Sequence, residues 1–349
     1  MNWQDISAIT ALDFTSGRIT HLAPQSAQAD WAQGFFTTLG DMAVFSASGD
    51  DAASFLHGQL SNDVERLPQG PVRRAAYCTA KGRMITSFSY WKNSDTIYLQ
   101  CDANQQPAVQ KRLQMFVLRS KVKLASLAES LIPLGLGGEK AEALLTTYFA
   151  TLPAIGEHVH DAANGMLLRH EDAGAVARYQ WLVPAEQFAA VWQTLKNALV
   201  LSNSSDWYLG DILSGVSRVV AATQEVFVPQ MINFELTGGV NFRKGCYPGQ
   251  EIVARSQYLG KLKRRSFLAS VAATGLQAGQ ELFNPASPEQ PCGHVVNVEL
   301  LNAGESLLLA EMTMADAEQG DIRVGTADGP ALQFRELPYV IHDITRTPE

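Results

Sequence analysis

The chain has 349 residues, of which 46% are hydrophobic and 18% charged, and its formal net charge is −8. This composition excludes a disordered polymer, and no run of about 18 apolar residues offers a membrane-spanning helix. The acidic balance argues against an affinity for nucleic acid or anionic membrane spread over the whole surface, because such binding depends on neutralising phosphates. Any anion site is therefore expected to be local.

The N-terminus and the cysteines predict a cytoplasmic protein. Residues 1–14 lack the basic stretch and apolar core of a secretory signal. The cysteines at positions 78, 101, 246 and 292 show no C-x-x-C spacing, which is typical of reduced thiols. The chain also exceeds the length at which one hydrophobic core usually keeps growing, so two or three domains are expected.

The first part of the chain predicts a mixed α/β unit. Residues 49–67 begin with aspartates and place apolar residues at helical spacing, which favours a capped helix. Residues 73–101 form apolar or alternating runs separated by turns, as an antiparallel meander does. Residues 119–127 are expected to return as a strand. Between them lies a predicted helix with one apolar face formed by Val109, Leu113, Phe116 and Val117.

A second α/β unit starts near residue 130. Residues 130–138 predict a strand and residues 139–149 a helix, and two further strands are expected at 165–170 and 178–184. The helix that follows, up to residue 199, carries an apolar stripe. Mixed elements with short antiparallel connections favour an α+β fold over a doubly wound parallel sheet.

The pattern changes after Arg265. The remaining apolar runs are short and are separated by Gly, Asn, Pro and Asp, with little helical periodicity. They predict a small all-β barrel or sandwich of about 80 residues. The predicted domains are therefore residues 1–262 and residues 263–349.

Two motifs are better explained as structural than as functional. The run GLGG at 135–138 follows a strand and opens a helix, but it lacks the full dinucleotide fingerprint, so a turn is expected. His158 and His160 have no third metal ligand at a recognisable spacing. They are expected on the solvent face of a strand.

The stretch NFRKGCYPGQEIVARSQYLGKLKRR at 241–265 combines several signals of chemistry. Pro248 suits the first position of a helix, and Glu251 suits its positive end. Cys246 is therefore expected just ahead of a helix start, near Lys244 and Arg243, whose charges would stabilise its thiolate. This pattern favours a nucleophile or metal ligand, and the alternative is a small buried cysteine.

The same stretch concentrates positive charge. Residues 243–265 hold seven of the 27 basic residues and the single acid Glu251. The basic residues are Arg243, Lys244, Arg255, Lys261, Lys263, Arg264 and Arg265. The cluster predicts either a local anion site or a solvated surface face.

Several blocks of the sequence resemble one family. KGCYPGQEIVAR at 244–255 closely resembles the signature K-G-C-Y-x-G-Q-E of the YgfZ-type folate-binding proteins, relatives of the glycine-cleavage T-protein, an aminomethyltransferase. Residues 49–64, 75–84, 118–124 and 223–246 are similar to other blocks of that family in the same order. The resemblance implies an α+β, T-protein-like cloverleaf of two interlaced ferredoxin-like α/β units followed by a C-terminal β-barrel.

The resemblance also implies a pocket for tetrahydrofolate or a derivative. Glu225 matches the acid of the folate-binding block and is expected on the pocket floor, where a carboxylate accepts two hydrogen bonds from a pterin. Tyr247 and Trp207 are candidate walls for the flat rings, with ordinary core packing as the alternative for Trp207. Arg255, with Lys244 or Arg243, is expected to meet the anionic glutamate tail.

The function implied by the resemblance is that of an accessory factor. Members of the family are implicated in iron–sulfur cluster assembly or repair, and through it in tRNA modification, and the marked cysteine of the family matches Cys246. In the T-protein, the block that matches residues 81–91 carries a pair of aspartates, one of them catalytic, where this chain has Ile85 and Thr86. Aminomethyl transfer is therefore the less favoured alternative, because the carboxylate that would handle the proton is missing. Expected partners are iron–sulfur enzymes or cluster-assembly proteins, whereas direct tRNA contact depends on the basic run at 255–265 alone.

Overall fold

The computed structural model describes residues 3–10, 12, 17–20, 22, 31, 33–258 and 262–341. The chain forms two compact units, each assembled from separate stretches of sequence. The first unit comprises residues 1–55, 65–73 and 89–210, and the second comprises residues 56–64, 74–88 and 211–349. Both contain strands and helices, and the predicted α+β class is confirmed.

The described part of the chain contains the following elements. The helices are α1 (Trp3–Thr10), α2 (Ala52–His57), α3 (Gln106–Val117), α4 (Glu139–Leu145), α5 (Phe188–Ala198), α6 (Ser204–Leu213), α7 (Gln250–Tyr258) and α8 (Met314–Gln319), with 3-10 helices at Ala221–Thr223 and Pro229–Ile232. The strands are β1 (Phe35–Thr38), β2 (Met42–Ser48), β3 (Val72–Cys78), β4 (Met84–Asn93), β5 (Thr96–Asp102), β6 (Lys123–Ser126), β7 (Leu131–Gly137), β8 (His158–Asp161), β9 (Gly165–Ala173), β10 (Val176–Pro184), β11 (Val200–Leu201), β12 (Arg264–Val271), β13 (Glu281–Phe283), β14 (Gly293–Asn302), β15 (Glu305–Thr313), β16 (Arg323–Val324) and β17 (Leu332–Arg335). None of these helices is long and apolar enough to cross a membrane.

The first unit is built around a six-stranded sheet with the order β11-β1-β7-β10-β9-β8. Its neighbouring strands are antiparallel except β1 and β11, which are parallel. Helix α5 buries one face against the core, which confirms the apolar stripe predicted near residues 185–199. The buried residues of α5 are Phe188, Val191, Trp192 and Leu195.

A five-stranded sheet has the order β3-β4-β5-β2-β6. The predicted meander at 73–101 is confirmed by these strands. The helix predicted over 49–67 is shorter, because α2 ends at His57. Leu60 is buried but pairs with Tyr77 in an isolated β-bridge, which takes the chain out of the helix.

Helix α3 departs from its predicted apolar face. Val109, Leu113 and Val117 are buried, but Phe116 is 49% exposed. At 100° per residue, position 116 lies at the edge of the arc formed by the three buried residues. The spacing rule therefore identifies the buried stripe and places one residue too many on it.

The two histidines of β8 differ in exposure, although both are predicted to face solvent. His160 is exposed, whereas His158 is buried and its Nδ1 lies 2.7 Å from the carbonyl oxygen of Gly70. Burial lowers the pKa of His158, which the hydrogen bond to Gly70 partly offsets. Positions 158 and 160 lie on the same side of the strand. The expectation for His158 is wrong because its ring is covered there, next to the carbonyl group of Gly70 and with the Trp91 ring centre 6.2 Å away.

The second unit contains a six-stranded antiparallel sheet with the order β16-β13-β14-β15-β12-β17. It has an apolar core of its own, which includes Leu282, Val295, Leu308 and Ile322. The sheet starts at Arg264, close to the predicted boundary. The division of the chain into two compact units does not fall at that boundary, because residues 263–349 belong to the same unit as residues 211–262.

Candidate functional site

An exposed cysteine lies on a loop of the second unit, residues 241–249. Cys246 is a free, exposed thiol. The ammonium group of Lys244 donates hydrogen bonds to the carbonyl oxygens of His57 and Leu60, the latter at 2.8 Å, and lies 4.9 Å from the centre of the Tyr247 ring. The residues around the cysteine are thus anchored, whereas the thiol itself faces solvent.

Tyr247 supports this loop from the inside. Its side chain is 6% exposed, and burial raises the pKa of its hydroxyl, with a smaller contribution from Cys78. Its carbonyl oxygen accepts a hydrogen bond of 3.1 Å from the amide of Gln250, the first residue of α7. This bond closes the turn between the cysteine and the helix.

The start of α7 corrects the prediction for Pro248. The helix begins at Gln250, so Pro248 lies in the preceding turn and not at the first helical position. The physical reason is Gly249, whose φ of +80° is left-handed and interrupts the helical path. Cys246 is therefore separated from the helix by a complete turn, residues 247–249.

The turn between β3 and β4 receives the beginning of α7. A Cβ atom at Gly249 would lie 2.4 Å from the carbonyl oxygen of Thr79 and 2.6 Å from the Cα of Gly82. A Cβ atom at Gly82 would in turn lie 3.1 Å from the Cβ of Ile252 on α7. Lys81 and Gly82 mark the turn in the sequence, but local sequence gives no sign of this contact with α7.

Glu225 lies against the same hairpin. Its amide donates a 2.8 Å hydrogen bond to the carbonyl oxygen of Met84, and the amide of Met84 donates a 2.8 Å bond to the carbonyl oxygen of Phe227. The guanidinium of Arg83 donates to the carbonyl oxygen of Val226. Arg83 is thus a positioning residue for the Glu225 segment that sequence analysis missed, since no local signal marks a partner so far along the chain.

The backbone of Glu225 is unusual. Its φ of +61° is left-handed, a conformation that costs a non-glycine residue about 1–2 kcal/mol. Strained backbone of this kind clusters at functional sites. The residue is exposed, and the main chain of its segment contacts β4. Its expected place on the floor of a folate pocket stays a prediction.

One further contact connects the segments of Glu225 and Cys246. The amide nitrogen of the buried Gln230 side chain donates a 2.8 Å hydrogen bond to the carbonyl oxygen of Val253 on α7. Arg255, in the last turn of α7, is exposed. The structure therefore brings together the loop of Cys246, the helix of Arg255 and the segment of Glu225 around the β3–β4 turn.

Trp207 lies in the first unit and is 2% exposed. The guanidinium carbon of Arg178 is 4.8 Å from its ring centre, and the His170 ring meets it edge-on at 5.2 Å. A Cβ atom at Gly135 would lie 2.6 Å from a ring atom. The ring of Trp207 is therefore not accessible as a wall of a folate pocket, and the structure supports the alternative of core packing. The same packing explains why Gly135 of the GLGG run has no side chain.

Much of the predicted basic cluster is used inside the fold. Arg265 is buried and paired with Glu235, and Arg264 is paired with the fully buried Glu311. Burial raises the pKa of Glu235, and the charge of Arg265 opposes this shift. Lys261 lies outside the described residues. The exposed cations of the cluster in the described residues are Arg243, Arg255 and Lys263.

Two further observations concern catalysis and metals. Ile85 and Thr86, which stand where the T-protein block carries aspartates, are both buried in β4. Within the described ranges, no group of three or more His, Cys, Asp and Glu side chains could hold a metal ion.

Comparison with known proteins decides the family. No protein-family model matches the chain. The tRNA-modifying protein YgfZ of Klebsiella pneumoniae (strain 342) is 31% identical over 309 residues, which cover 88% of this chain and 93% of that protein. The chain belongs to the YgfZ family. The YgfZ protein of Shigella boydii serotype 4 (strain Sb227) is 29% identical over 311 residues, with the same two coverages. The family predicted from the KGCYPGQE segment is confirmed.

The fold is shared beyond the YgfZ family. The glycine cleavage system aminomethyltransferase T from Bartonella henselae has a similar structure, with a TM-score of 0.77 over 97% of both chains and 15% sequence identity. Identity at this level supports the fold alone. The predicted similarity to the T-protein fold is confirmed, whereas the cloverleaf arrangement and a closed barrel stay predictions.

Proposed function

We propose that the protein is a folate-binding accessory factor for iron–sulfur cluster assembly or repair, which supports tRNA modification by iron–sulfur enzymes. The observation that carries the proposal is the exposed thiol of Cys246 on a loop whose neighbouring residues are anchored. The relatives are named tRNA-modifying proteins, which supports the link to tRNA.

Cys246 supplies the thiol chemistry in this proposal. The thiolate form of cysteine is both the nucleophile and the metal ligand. An exposed thiol reaches a cluster or a partner protein, and it offers one of the ligands that an iron–sulfur cluster takes from cysteine. The remaining ligands come from the partner, an iron–sulfur enzyme or a cluster-assembly protein.

The folate site is proposed around the β3–β4 turn, for tetrahydrofolate or a derivative. The exposed carboxylate of Glu225 suits the 2-amino group and the ring N–H of a pterin, since one carboxylate accepts two parallel hydrogen bonds. The exposed guanidinium of Arg255 suits the glutamate tail. Lys244 and Tyr247 fix the loop beside it, Lys244 through its hydrogen bonds to backbone carbonyl oxygens and Tyr247 through its buried ring. Trp207 is left out of the proposed contacts because its ring is already packed.

The proposal includes the finer architecture and the location expected of the family. Two interlaced ferredoxin-like α/β units over residues 1–262 would be followed by a C-terminal barrel over residues 263–349. The T-protein-like fold supports this arrangement, as does an isolated bridge between Arg323 of β16 and Ala331, just before β17. The proposed location is the cytoplasm.

An aminomethyltransferase is the competing function. It shares the fold, but a transferring folate needs a carboxylate to handle the proton on its amine. The buried Ile85 and Thr86 provide none at the matching positions. Steady turnover of a methylene or aminomethyl donor by the purified protein would favour this alternative.

The cysteine role predicts a cellular phenotype for Cys246→Ala. Cells that carry this variant as their sole copy should lose most of the product of a tRNA-thiomethylating 4Fe–4S enzyme under oxidative stress, since the exposed thiol is gone. The product is measured by mass spectrometry of digested tRNA. Cys292→Ala is the matched control, because Cys292 is a free thiol of the C-terminal sheet and should be dispensable. Normal product in the Cys246→Ala cells would refute the role of the cysteine.

The folate role is tested separately on purified protein. Titration with reduced folates, followed by tryptophan fluorescence, should give saturable binding that Glu225→Gln weakens about tenfold or more, since a charged hydrogen-bond pair is lost. No binding at millimolar folate would remove the folate part of the proposal and leave the cysteine part.

A further inference from the structure

A second concentration of positive charge lies in the first unit, on the basic–apolar surface formed by residues 111–123. This segment covers the end of α3 and the chain into β6, and it contains no acidic residue. Its cations are Lys111, Arg112, Arg119, Lys121 and Lys123, and all five side chains are exposed. Lys121 is paired with Asp50 at 2.9 Å. The segment remains basic when this pair is discounted, within a protein whose net charge is −8.

Large apolar side chains are exposed in the same segment. Met115 is 62% exposed, Phe116 49% and Leu118 86%. Single exposed apolar residues are common, but a group of this kind marks an interaction site. The basic–apolar surface thus combines charge with exposed apolar side chains.

Leu118 lies in a turn that exposes its side chain. It follows α3 with φ +47° and ψ −105°, a conformation that strains any residue except glycine. It is the first central residue of a turn closed by a 2.8 Å hydrogen bond from the amide of Ser120 to the carbonyl oxygen of Val117. The turn leaves the Leu118 side chain 86% exposed within the cationic segment.

We propose that the basic–apolar surface binds RNA, in the form of an unpaired or looped region of a tRNA. Cations bind the phosphates, and Phe116 offers an aromatic ring on which an unpaired base stacks. The choice of tRNA as the RNA rests on the proposed function. An acidic protein surface is the competing occupant, but three of the five cations are lysines, which protein–protein interfaces disfavour.

This inference relocates the RNA contact suggested by the sequence. Within the basic run at 255–265, Arg264 and Arg265 are committed to Glu311 and Glu235. Their charges are neutralised inside the fold and leave little for a polyanion. Residues 111–123, whose first part the periodicity predicts as an ordinary amphipathic helix, carry the exposed charge instead.

The charge requirement is tested with a triple variant. Lys111→Gln, Arg119→Gln and Lys123→Gln together should weaken binding of a purified tRNA at least tenfold, measured by fluorescence anisotropy near physiological salt, where long-range charge effects are screened. The slope of log K for tRNA binding against log salt concentration should fall in magnitude by about 2, because the variant loses three phosphate contacts and each contributes about 0.7 for single strands. The matched control, Lys140→Gln, Lys196→Gln and Lys263→Gln, removes the same charge from exposed positions elsewhere and should stay within about twofold of wild type.

The apolar requirement is tested with two single variants. Phe116→Ala should weaken tRNA binding about tenfold without changing the salt slope, since stacking carries no charge. Leu118→Gly should weaken binding while raising the thermal midpoint, because glycine relieves the strain at φ +47°. Weaker binding by a more stable protein cannot come from misfolding.

Three results would overturn the inference. The first is that the wild-type protein does not bind tRNA at micromolar concentration. The second is that the triple variant and its control lose the same amount of tRNA affinity. The third is that poly-glutamate binds as tightly as tRNA. The last would assign the surface to an acidic protein. Folate titration of the same variants keeps the two proposals apart, because residues 111–123 lie outside the unit that contains Cys246 and Glu225. A triple variant that loses tRNA binding but keeps folate binding supports RNA binding by the basic–apolar surface. If the wild-type protein does not bind folate, the result of the tRNA experiment still stands.

Discussion

At the scale of single residues, the positive φ angles of Ser94 and Glu225 both belong to turns. Ser94 also has a positive φ, +52°, but it lies in the tight turn between β4 and β5 and its amide bonds to the side chain of Gln69 at 3.1 Å. Turn geometry explains Ser94. Glu225 also lies in a turn, which the amide of Val226 closes with a 3.2 Å hydrogen bond to the carbonyl oxygen of Thr223. Turn geometry therefore accounts for its φ angle as well, and the turn determines where the exposed side chain leaves the backbone.

Replacing Glu225 with glycine should separate stability from binding. We expect Glu225→Gly to raise the free energy of unfolding by about 1 kcal/mol, because glycine adopts φ +61° without strain. Folate affinity should fall at the same time, because the carboxylate is lost. Urea denaturation and fluorescence titration measure the two effects. Ser94→Gly is the control, expected to stabilise without any effect on folate, and an unchanged folate affinity in Glu225→Gly would contradict the assignment.

At the scale of elements, the cysteine loop is positioned by a contact between two turns. Gly249, which immediately precedes α7, meets the β3–β4 turn so closely that no side chain fits. The loop thus depends on the packing of α7 as well as on the hydrogen bonds of Lys244. Gly238 offers a comparison, since its φ of +78° matches the +80° of Gly249, but a Cβ atom at Gly238 would meet nothing within 4 Å.

Alanine substitutions at these two glycines should have unequal costs. Gly238→Ala should lower the free energy of unfolding by about 1 kcal/mol through φ alone. Gly249→Ala should cost at least about 2 kcal/mol more, because its Cβ would lie 2.4 Å from the Thr79 carbonyl oxygen. It should also change the rate at which a thiol reagent labels Cys246. Equal losses of stability would show that the contact between the turns is unimportant.

At the scale of the whole molecule, local patterns predict elements and family but not the contacts between distant segments. The signature at 244–255 identifies the family because its fixed positions are contiguous, and turn residues reveal the C-terminal strands. The two units could not be predicted, since short stretches such as 56–64 and 74–88 join a unit formed mainly by residues 211–349. The burial of Arg265 was missed for the same reason, because its partner Glu235 lies 30 residues away.

Buried charge should make the stability of the molecule depend on pH, and Asp206 of α6 allows a direct test. Burial raises the pKa of Asp206 to about 6 from its ordinary 3.8, against opposing hydrogen bonds from Asn203 and Ser202. The folded state therefore holds this proton more tightly, so the stability it contributes is fully present below pH 3.8 and lost as pH rises through about 6. Asp206→Asn should then raise the free energy of unfolding by about 1–2 kcal/mol at pH 7.5 and by much less at pH 4.

Chemical denaturation at the two pH values measures this difference. His158, whose pKa burial lowers, acts in the opposite direction, because its protonation below about pH 6.5 favours the unfolded chain. It is present in both proteins, so the difference between variant and wild type isolates Asp206. A gain of the same size at both pH values would mean that the asparagine improves packing and that the buried charge of Asp206 has no part in the effect.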